Sequence, residues 1–262
     1  MSKLLEGKVA VIYGGGGAIG GGVARTFARE GARVFLAGRT EDTLEAVAKE
    51  ITASGGLADI AVLDALDETA VDSHVRDVVV TAGSLDVSFN LITRGDIQGT
   101  PLVEMTTADL LRAVVNGLQS NFVTARAAAR RMVGQGSGVI LHLNSASGAG
   151  AMPGMGSTGP ADAATEAFMR YLAAEVGPRG VRVCGIWTAG VAETLTREKL
   201  TAVGGEGTPD PQTVVDMIAG MAALRRAPRL ADVAEVAAFL ASDRAAGVTG
   251  TMANVTSGLV LR

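Results

Sequence analysis

The sequence predicts an α/β fold: a doubly wound parallel sheet of about seven strands flanked by helices, in a single domain spanning residues 1–262. Three observations predict it. Hydrophobic residues make up 48% and charged residues 19% of the chain, a balance that supports a large core and excludes disordered and fibrous folds. Short β-branched runs alternate with helical apolar spacing at a period of roughly 25 residues, as right-handed βαβ crossovers require. The 35 glycines are about twice the usual ~7%, and they cluster where the first strand meets the first helix.

Val9 to Tyr13 reads as strand one, ending in Gly14 to Gly17, and Ala18 to Glu30 as a helix stopped by Gly31. Ala32 to Ala37 is the second strand, Glu41 to Ser54 the second helix and Leu57 to Leu63 the third strand. Asp67 to Thr81 is helical, Asp86 to Ile92 is strand four, Thr107 to Val133 a long helix and Val139 to Asn144 strand five. Pro160 to Val176 is a helix closed by Gly177 and Pro178, and Val181 to Trp187 is strand six. Gly190 to Asp210 holds a short polar helix and a glycine-rich run that reads as a mobile loop over the sheet's ligand. Leu230 to Ala241 is the last helix and Thr251 to Val255 the last strand.

Charge and composition narrow the function. Twenty-three basic against 27 acidic side chains leave a net charge of −4, and aromatic residues are only 3%, so no nucleic-acid partner is expected. The one cysteine, Cys184, permits no internal disulfide and no cysteine-based metal site, and no metal is expected. Met1 to Gly7 lacks the apolar core of a signal peptide, and no apolar run approaches the ~18 residues of a membrane span. The expectation is a cytoplasmic protein with no membrane partner.

A glycine turn between a first strand and first helix lets backbone N–H groups approach a pyrophosphate at the positive end of the helix. Here it reads Gly14, Gly15, Gly16, Gly17, Ala18, Ile19, Gly20. It resembles the Gly-x-x-x-Gly-x-Gly turn of the short-chain dehydrogenase/reductase family, with Ala18 for the middle glycine. The resemblance runs along the whole chain and implies a Rossmann-type sheet. Asp64, with Ala65 after it, matches the aspartate beside the adenine, and Asn90 matches the first position of Asn-Asn-Ala-Gly, which continues here as Leu91, Ile92, Thr93. Asn116 and Ser145 match the family's catalytic asparagine and serine; Gly190 and Thr194 match Pro-Gly-x-x-x-Thr, with Ala189 for the proline. The tail from Arg226 to Gly250 has the family's form as well. The resemblance implies that Gly14, Gly16, Gly17, Ile19, Gly20, Asp64, Ala65, Asn90, Gly190 and Thr194 hold a nicotinamide dinucleotide.

The end of strand two chooses between the two nicotinamide cofactors. A carboxylate there binds the ribose 2′-hydroxyl, whereas a guanidinium accepts a 2′-phosphate bidentately. The residues are Gly38, Arg39 and Thr40, a pattern that favours NADP(H) over NAD(H). The plain alternative is a surface arginine that opens the next helix.

In this family a tyrosine about thirteen residues after the serine passes the proton, and a lysine four residues later lowers its pKa. Counting from Ser145 gives Thr158 and Asp162. An aliphatic hydroxyl is a far weaker acid than a phenol of pKa ~10, and Asp162 puts negative charge where the family puts positive. The same residues also read as ordinary helix-start residues around Pro160. Tyr13 and Tyr171 stand out of register. His142, on the opposite face of its strand from Ser145, reads as a satisfied buried histidine, His74 as solvent facing, and Cys184 as a small core residue. Trp187, Met152 and Met155 read as apolar walls near the substrate entrance.

The resulting expectation is an NADP(H)-dependent oxidoreductase that acts on a small apolar substrate by an atypical hydride transfer. Ser145, Asn116, Thr158 and Asp162 form its catalytic set, and an activated enone or imine suits them better than a simple ketone. A carboxylate at Asp162 favours a cationic substrate. Two alternatives stay open: a non-redox cyclase or dehydratase that keeps the cofactor, and a non-catalytic cofactor-binding subunit. A homotetramer or homodimer is expected, built on the helices Thr107 to Val133 and Pro160 to Val176, where Ala125, Ala127, Ala128, Ala129, Ala163, Ala164 and Ala167 permit close approach.

Overall fold

Strands with β-branched side chains on both faces must be covered on both faces, and the fold meets that demand. A computed structural model describes residues 3–261. The order is β1 (Val9–Tyr13), α1 (Ala18–Arg29), β2 (Arg33–Gly38), α2 (Glu41–Ala53), β3 (Leu57–Val62), α3 (Glu68–Ala82) and β4 (Val87–Asn90). The second half runs α4 (Thr107–Gln135), β5 (Gly138–Ser145), α5 (Thr158–Val176), β6 (Val181–Thr188), α6 (Arg197–Gly204), α7 (Pro211–Met221), α8 (Leu230–Ala241) and β7 (Met252–Val255). All seven strands pair in parallel in the order β3-β2-β1-β4-β5-β6-β7.

Alternate strand residues feed two cores. Ile12, Leu36, Phe89, Leu141 and Ile186 pack under α1, α2 and α8, and Val11, Phe35, Ile140 and Val183 under α3, α4 and α5. The chain reverses direction across the sheet between β1 and β4, which opens a crevice at their carboxyl ends. Short oxygen-bearing side chains close the helix starts, where backbone donors lack partners. Asp67 accepts from the N–H groups of Thr69 and Ala70, and Thr106 from that of Asp109. Gly83 and Gly136 end α3 and α4 in the left-handed conformation.

Four expectations change. Pro211–Met221 is a helix capped by Asp210, within a stretch to which the sequence pattern assigns no element. β4 is shorter than Asp86 to Ile92, because the chain turns away at Asn90, whose Oδ1 accepts from the Ile92 N–H. His74 is buried rather than solvent facing: it shares the inner stripe of α3 with Val71, Val75 and Val78 and stands edge-on to Tyr13 and Phe35, at 6.1 and 6.5 Å. Burial lowers its pKa. Finally, Ala125, Ala127, Ala128 and Ala129 are buried inside this chain's own core and are not a surface for a second copy. The exposed apolar side chains of α4 are Leu111, Val115 and Phe122.

Candidate active site

At the β1 turn, the path of the backbone itself selects glycine. Gly14 has φ +79°, and a Cβ on it would lie 2.6 Å from the Leu91 carbonyl oxygen. A Cβ on Gly16 would lie 2.3 Å from Thr43 Oγ1, and one on Gly20 2.1 Å from the Gly14 oxygen. Gly17 caps α1 without a side-chain hydrogen bond, and the first turn carries no acidic residue. The first-turn amides and the helix dipole therefore face outward, a ready anion site.

That turn forms one wall of a cleft of about 320 Å³. Gly14, Gly16 and Gly17 line it, as do Arg39 and Thr40 after β2, Asp64 and Ala65 after β3, and Asn116 of α4. Arg39 is exposed and, among the described residues, has no ion-pair partner. The other expected cofactor residues do not line this cleft. Ile19 packs on the core, and Gly20 lies under Gly14. Asn90 is buried and donates to Thr124 Oγ1. Gly190 leaves room for Ile218, and Thr194 is buried, donating to the Val191 carbonyl.

The expected catalytic residues converge at the other end of the same sheet edge. Ser145 ends β5; its Oγ accepts from the Ser147 N–H at 3.2 Å and donates to Asp162 Oδ2 at 2.5 Å. Thr158 and Asp162 lie one turn apart on α5, so they share a face. Gly148 admits that helix, since a Cβ there would lie 2.9 Å from Asp162 Cβ. Thr158 is buried and its Oγ1 accepts from Gln98 Nε2 at 3.0 Å. Asn116 Nδ2 donates to the Arg94 carbonyl at 3.1 Å.

The centre of this cluster is a residue the sequence pattern does not single out. Arg94 reaches inward over Gly117, where a Cβ would lie 2.6 Å from its Cδ. Its Nη1 stands 2.8 Å from Asp162 Oδ1, and its Nε and Nη2 grip Asp96 at 3.2 and 2.9 Å. The Asp162 contact lies off hydrogen-bond alignment, so it is an ion pair in which Oδ1 keeps acceptor capacity. Asp162 is fully buried, and the Arg94 side chain is 13% exposed. Burial pushes the Asp162 carboxyl up to about 6, with Arg94 and the Ser145 hydroxyl pulling it back down. Arg94 stays charged: the two carboxylates overcome its own desolvation. Lys199, turned inward onto Thr194 Oγ1 at 3.3 Å, has its pKa lowered by burial, opposed by Asp96.

Asp162 therefore does not present the uncompensated negative charge expected from the sequence, because Arg94 neutralises it. The available signal was position: Arg94 and Asp96 follow Asn90 past the carboxyl end of β4, on the edge that carries the site. Ser157 fixes their loop by accepting from the Ile97 N–H at 3.0 Å.

Tyr13 lines the cleft with its hydroxyl buried and, among the described residues, unpartnered, and desolvation raises its pKa; Tyr171 is exposed on α5. Trp187 lines a different cavity, beyond α5. Among the described residues no His, Cys, Asp and Glu cluster could hold a metal, and no helix is long and apolar enough to cross a membrane.

This fold and cleft define a class, the single-domain oxidoreductases whose doubly wound sheet binds a nicotinamide dinucleotide at its carboxyl edge. Within it, the chain belongs to the short-chain dehydrogenase/reductase family, through the family model described as enoyl-(acyl carrier protein) reductase, which matches residues 16–260. It is 34% identical to a tropinone reductase-like protein of Erythroxylum coca over 98% of this chain and 91% of that one. It is 34% identical to short chain aldehyde dehydrogenase 1 of Euphorbia lathyris over 98% and 89%. A 7α-hydroxysteroid dehydrogenase solved with NADH and 7-oxo glycochenodeoxycholic acid superposes with a TM-score of 0.83 at 27% identity, covering 98% of this chain and 96% of that one.

Proposed function

We propose that this chain is an NADP(H)-preferring oxidoreductase that handles its proton through Ser145, Asp162 and Arg94, with no tyrosine and lysine pair. The observation that carries the reading is the buried chain of contacts from Ser145 Oγ to Asp162 to Arg94. Thr158 and Asp162 stand, on this reading, where relatives place the tyrosine and lysine, and Arg94 supplies from another strand end the positive charge that Asp162 removes.

The cleft suits NADP(H) on two counts. Its glycine turn leaves the first helix without a side-chain cap or acidic first-turn residue, and Arg39 offers a guanidinium to a 2′-phosphate. Gly14, Gly16 and Gly17 would hold the pyrophosphate, and Asp64 and Ala65 the adenine side. When bound, the cofactor supplies the hydride.

Ser145 positions a substrate heteroatom, and Asp162 accepts or returns the proton of the Ser145 hydroxyl. A carboxyl raised to about 6 is a modest base and a poor acid at neutral pH. That chemistry suits a small apolar substrate whose reduction demands little proton donation, an activated enone or an imine. Neutralisation by Arg94 removes the reason to prefer a cationic one. Most polar groups of this end are paired with one another, which favours as second reading a protein that binds the cofactor without redox turnover.

A second copy of the chain would pack on the exposed α4 and α5 face carrying Leu111, Val115, Phe122 and Tyr171. NADPH oxidation with enone and imine panels, in wild type and Asp162→Asn, tests the proposal. Turnover that the substitution cuts at least about tenfold, within the range general acid-base catalysis supplies, is expected; undiminished turnover removes Asp162 from the proton route.

A further inference from the structure

A second cavity of about 320 Å³ opens between α5 and the strands β6 and β7, of which β7 is the sheet edge, away from the cofactor cleft. Its floor is a row across three strands: His142 pairs with Gly185, and Gly185 with Met252. Glycine in the middle is what makes the row possible. A Cβ on Gly185 would lie 2.1 Å from Met252 Sδ and 2.6 Å from His142 Nε2.

The histidine is buried, and one ring nitrogen explains the state of the other. Nδ1 lies 3.1 Å from the Cys184 carbonyl, which can only accept, so Nδ1 carries the proton. Nε2 is then a bare lone pair; it is buried, lacks a partner among the described residues and belongs to a ring that lines the cavity. The expectation of a satisfied histidine is corrected here. Desolvation lowers its pKa to about 4, so the lone pair persists at neutral pH.

Glu166 forms the facing wall, 6% exposed, with Oε1 held by the Trp187 indole N–H at 2.7 Å. Its Oε2 draws the Arg170 guanidinium to 3.8 Å, a long contact to a side chain that is 58% exposed. The Trp187 N–H is spent on Glu166, and two buried groups of the wall, His142 Nε2 and the Glu166 carboxylate, only accept hydrogen bonds, one of them an anion. An ammonium has three donors and no acceptor. Met169, Val183 and Met252 supply apolar wall, and Trp187 a ring face that attracts cations.

We propose that this cavity binds a small primary alkylammonium, its N–H groups donated to His142 Nε2 and the Glu166 carboxylate and its chain laid against Met169, Val183 and Met252. The cavity shares no lining residue with the cofactor cleft, and Asn144, which donates to the Asp162 carbonyl and to Glu166 Oε1, separates it from the Ser145 cluster.

Trp187 is the chain's one tryptophan, so its fluorescence reads occupancy directly. The experiment titrates n-butylammonium chloride into the full chain, with butyltrimethylammonium, equally charged but without N–H donors, as the matched control. The expected result is a saturable change with n-butylammonium alone, weakened about tenfold or more in Glu166→Gln, a near-isosteric change that removes the charge. Should Glu166→Gln fail to fold, the wild-type comparison of the two cations still decides. No saturable change, as when a second copy of the chain covers the cavity, an equal response to both cations, or an unchanged affinity in a folded Glu166→Gln overturns the proposal.

Discussion

The two ends of the active-site edge use polar groups in opposite ways. Around Gly14, Gly16 and Gly17 the chain withholds side chains, leaves helix amides uncapped and keeps Arg39 free of an ion-pair partner among the described residues. Around Ser145 it pairs its strong groups with one another, leaving Asp162 Oδ1 some acceptor capacity: Asp162 with Arg94 and Ser145, Arg94 with Asp96 as well, Thr158 with Gln98. An end whose donors point outward is prepared for a ligand, whereas an end whose donors are paired must give up contacts to act on one. On the proposed function, this difference separates cofactor binding from ordinary carbonyl chemistry.

Breaking the closed end should cost the most. Arg94→Met leaves the fully buried Asp162 without its counter-charge, and urea denaturation near pH 7.5 should register a loss of about 3–5 kcal/mol. Adding Asp162→Asn should recover most of it. The pH dependence has a definite sign. A carboxyl raised to about 6 in the folded chain contributes stability that is present below its unfolded value and lost as pH rises through 6. Removing Arg94 raises that pKa further, so the single variant should regain stability on acidification. A pH-independent loss would assign Arg94 a packing role only.

His142, three residues before Ser145, titrates with the opposite sign. Its pKa is lowered to about 4 from 6.5, so its contribution is present above 6.5 and lost as pH falls through 4, about 3 kcal/mol in all. It therefore opposes Asp162 in the same window. The difference between wild-type and His142→Asn stability, followed from pH 7 to 4, should fall by about that amount. A flat difference would mean that the ring is not held neutral.

The open end should show a smaller and more selective response. Arg39→Ala should weaken NADPH by about one to two decades and leave NADH unchanged, the loss of one charge-assisted phosphate contact of roughly 1.5–3 kcal/mol. Titration of both cofactors checks it; equal wild-type affinities would break the asymmetry drawn between the ends.

What the sequence discloses follows the same division. The glycine turn, the strand ends and the seven-strand alternation depend on local backbone demands, and these leave local marks such as glycine runs and β-branched stretches. Arg94 with Asp162 is a contact between a loop after β4 and the start of α5, 68 positions apart, and no periodicity marks it. His74 escapes for a milder reason: its place on the stripe with Val71, Val75 and Val78 is legible, but a polar side chain there reads as facing water. Helix α7 escapes because Asp210 and Pro211, a good cap and first turn, sit beside a glycine-rich run that reads as loop.

If the Ser145, Asp162 and Arg94 network leaves cofactor binding intact while withholding a proton from ordinary carbonyls, both properties must appear in one wild-type preparation. The decisive measurement is NADPH binding alongside NADPH oxidation with a panel of simple ketones. Saturable binding is expected, with negligible ketone turnover, short by the roughly 10²–10⁴-fold that a positioned general acid supplies. Ready ketone turnover that disappears in Ser145→Ala would contradict it.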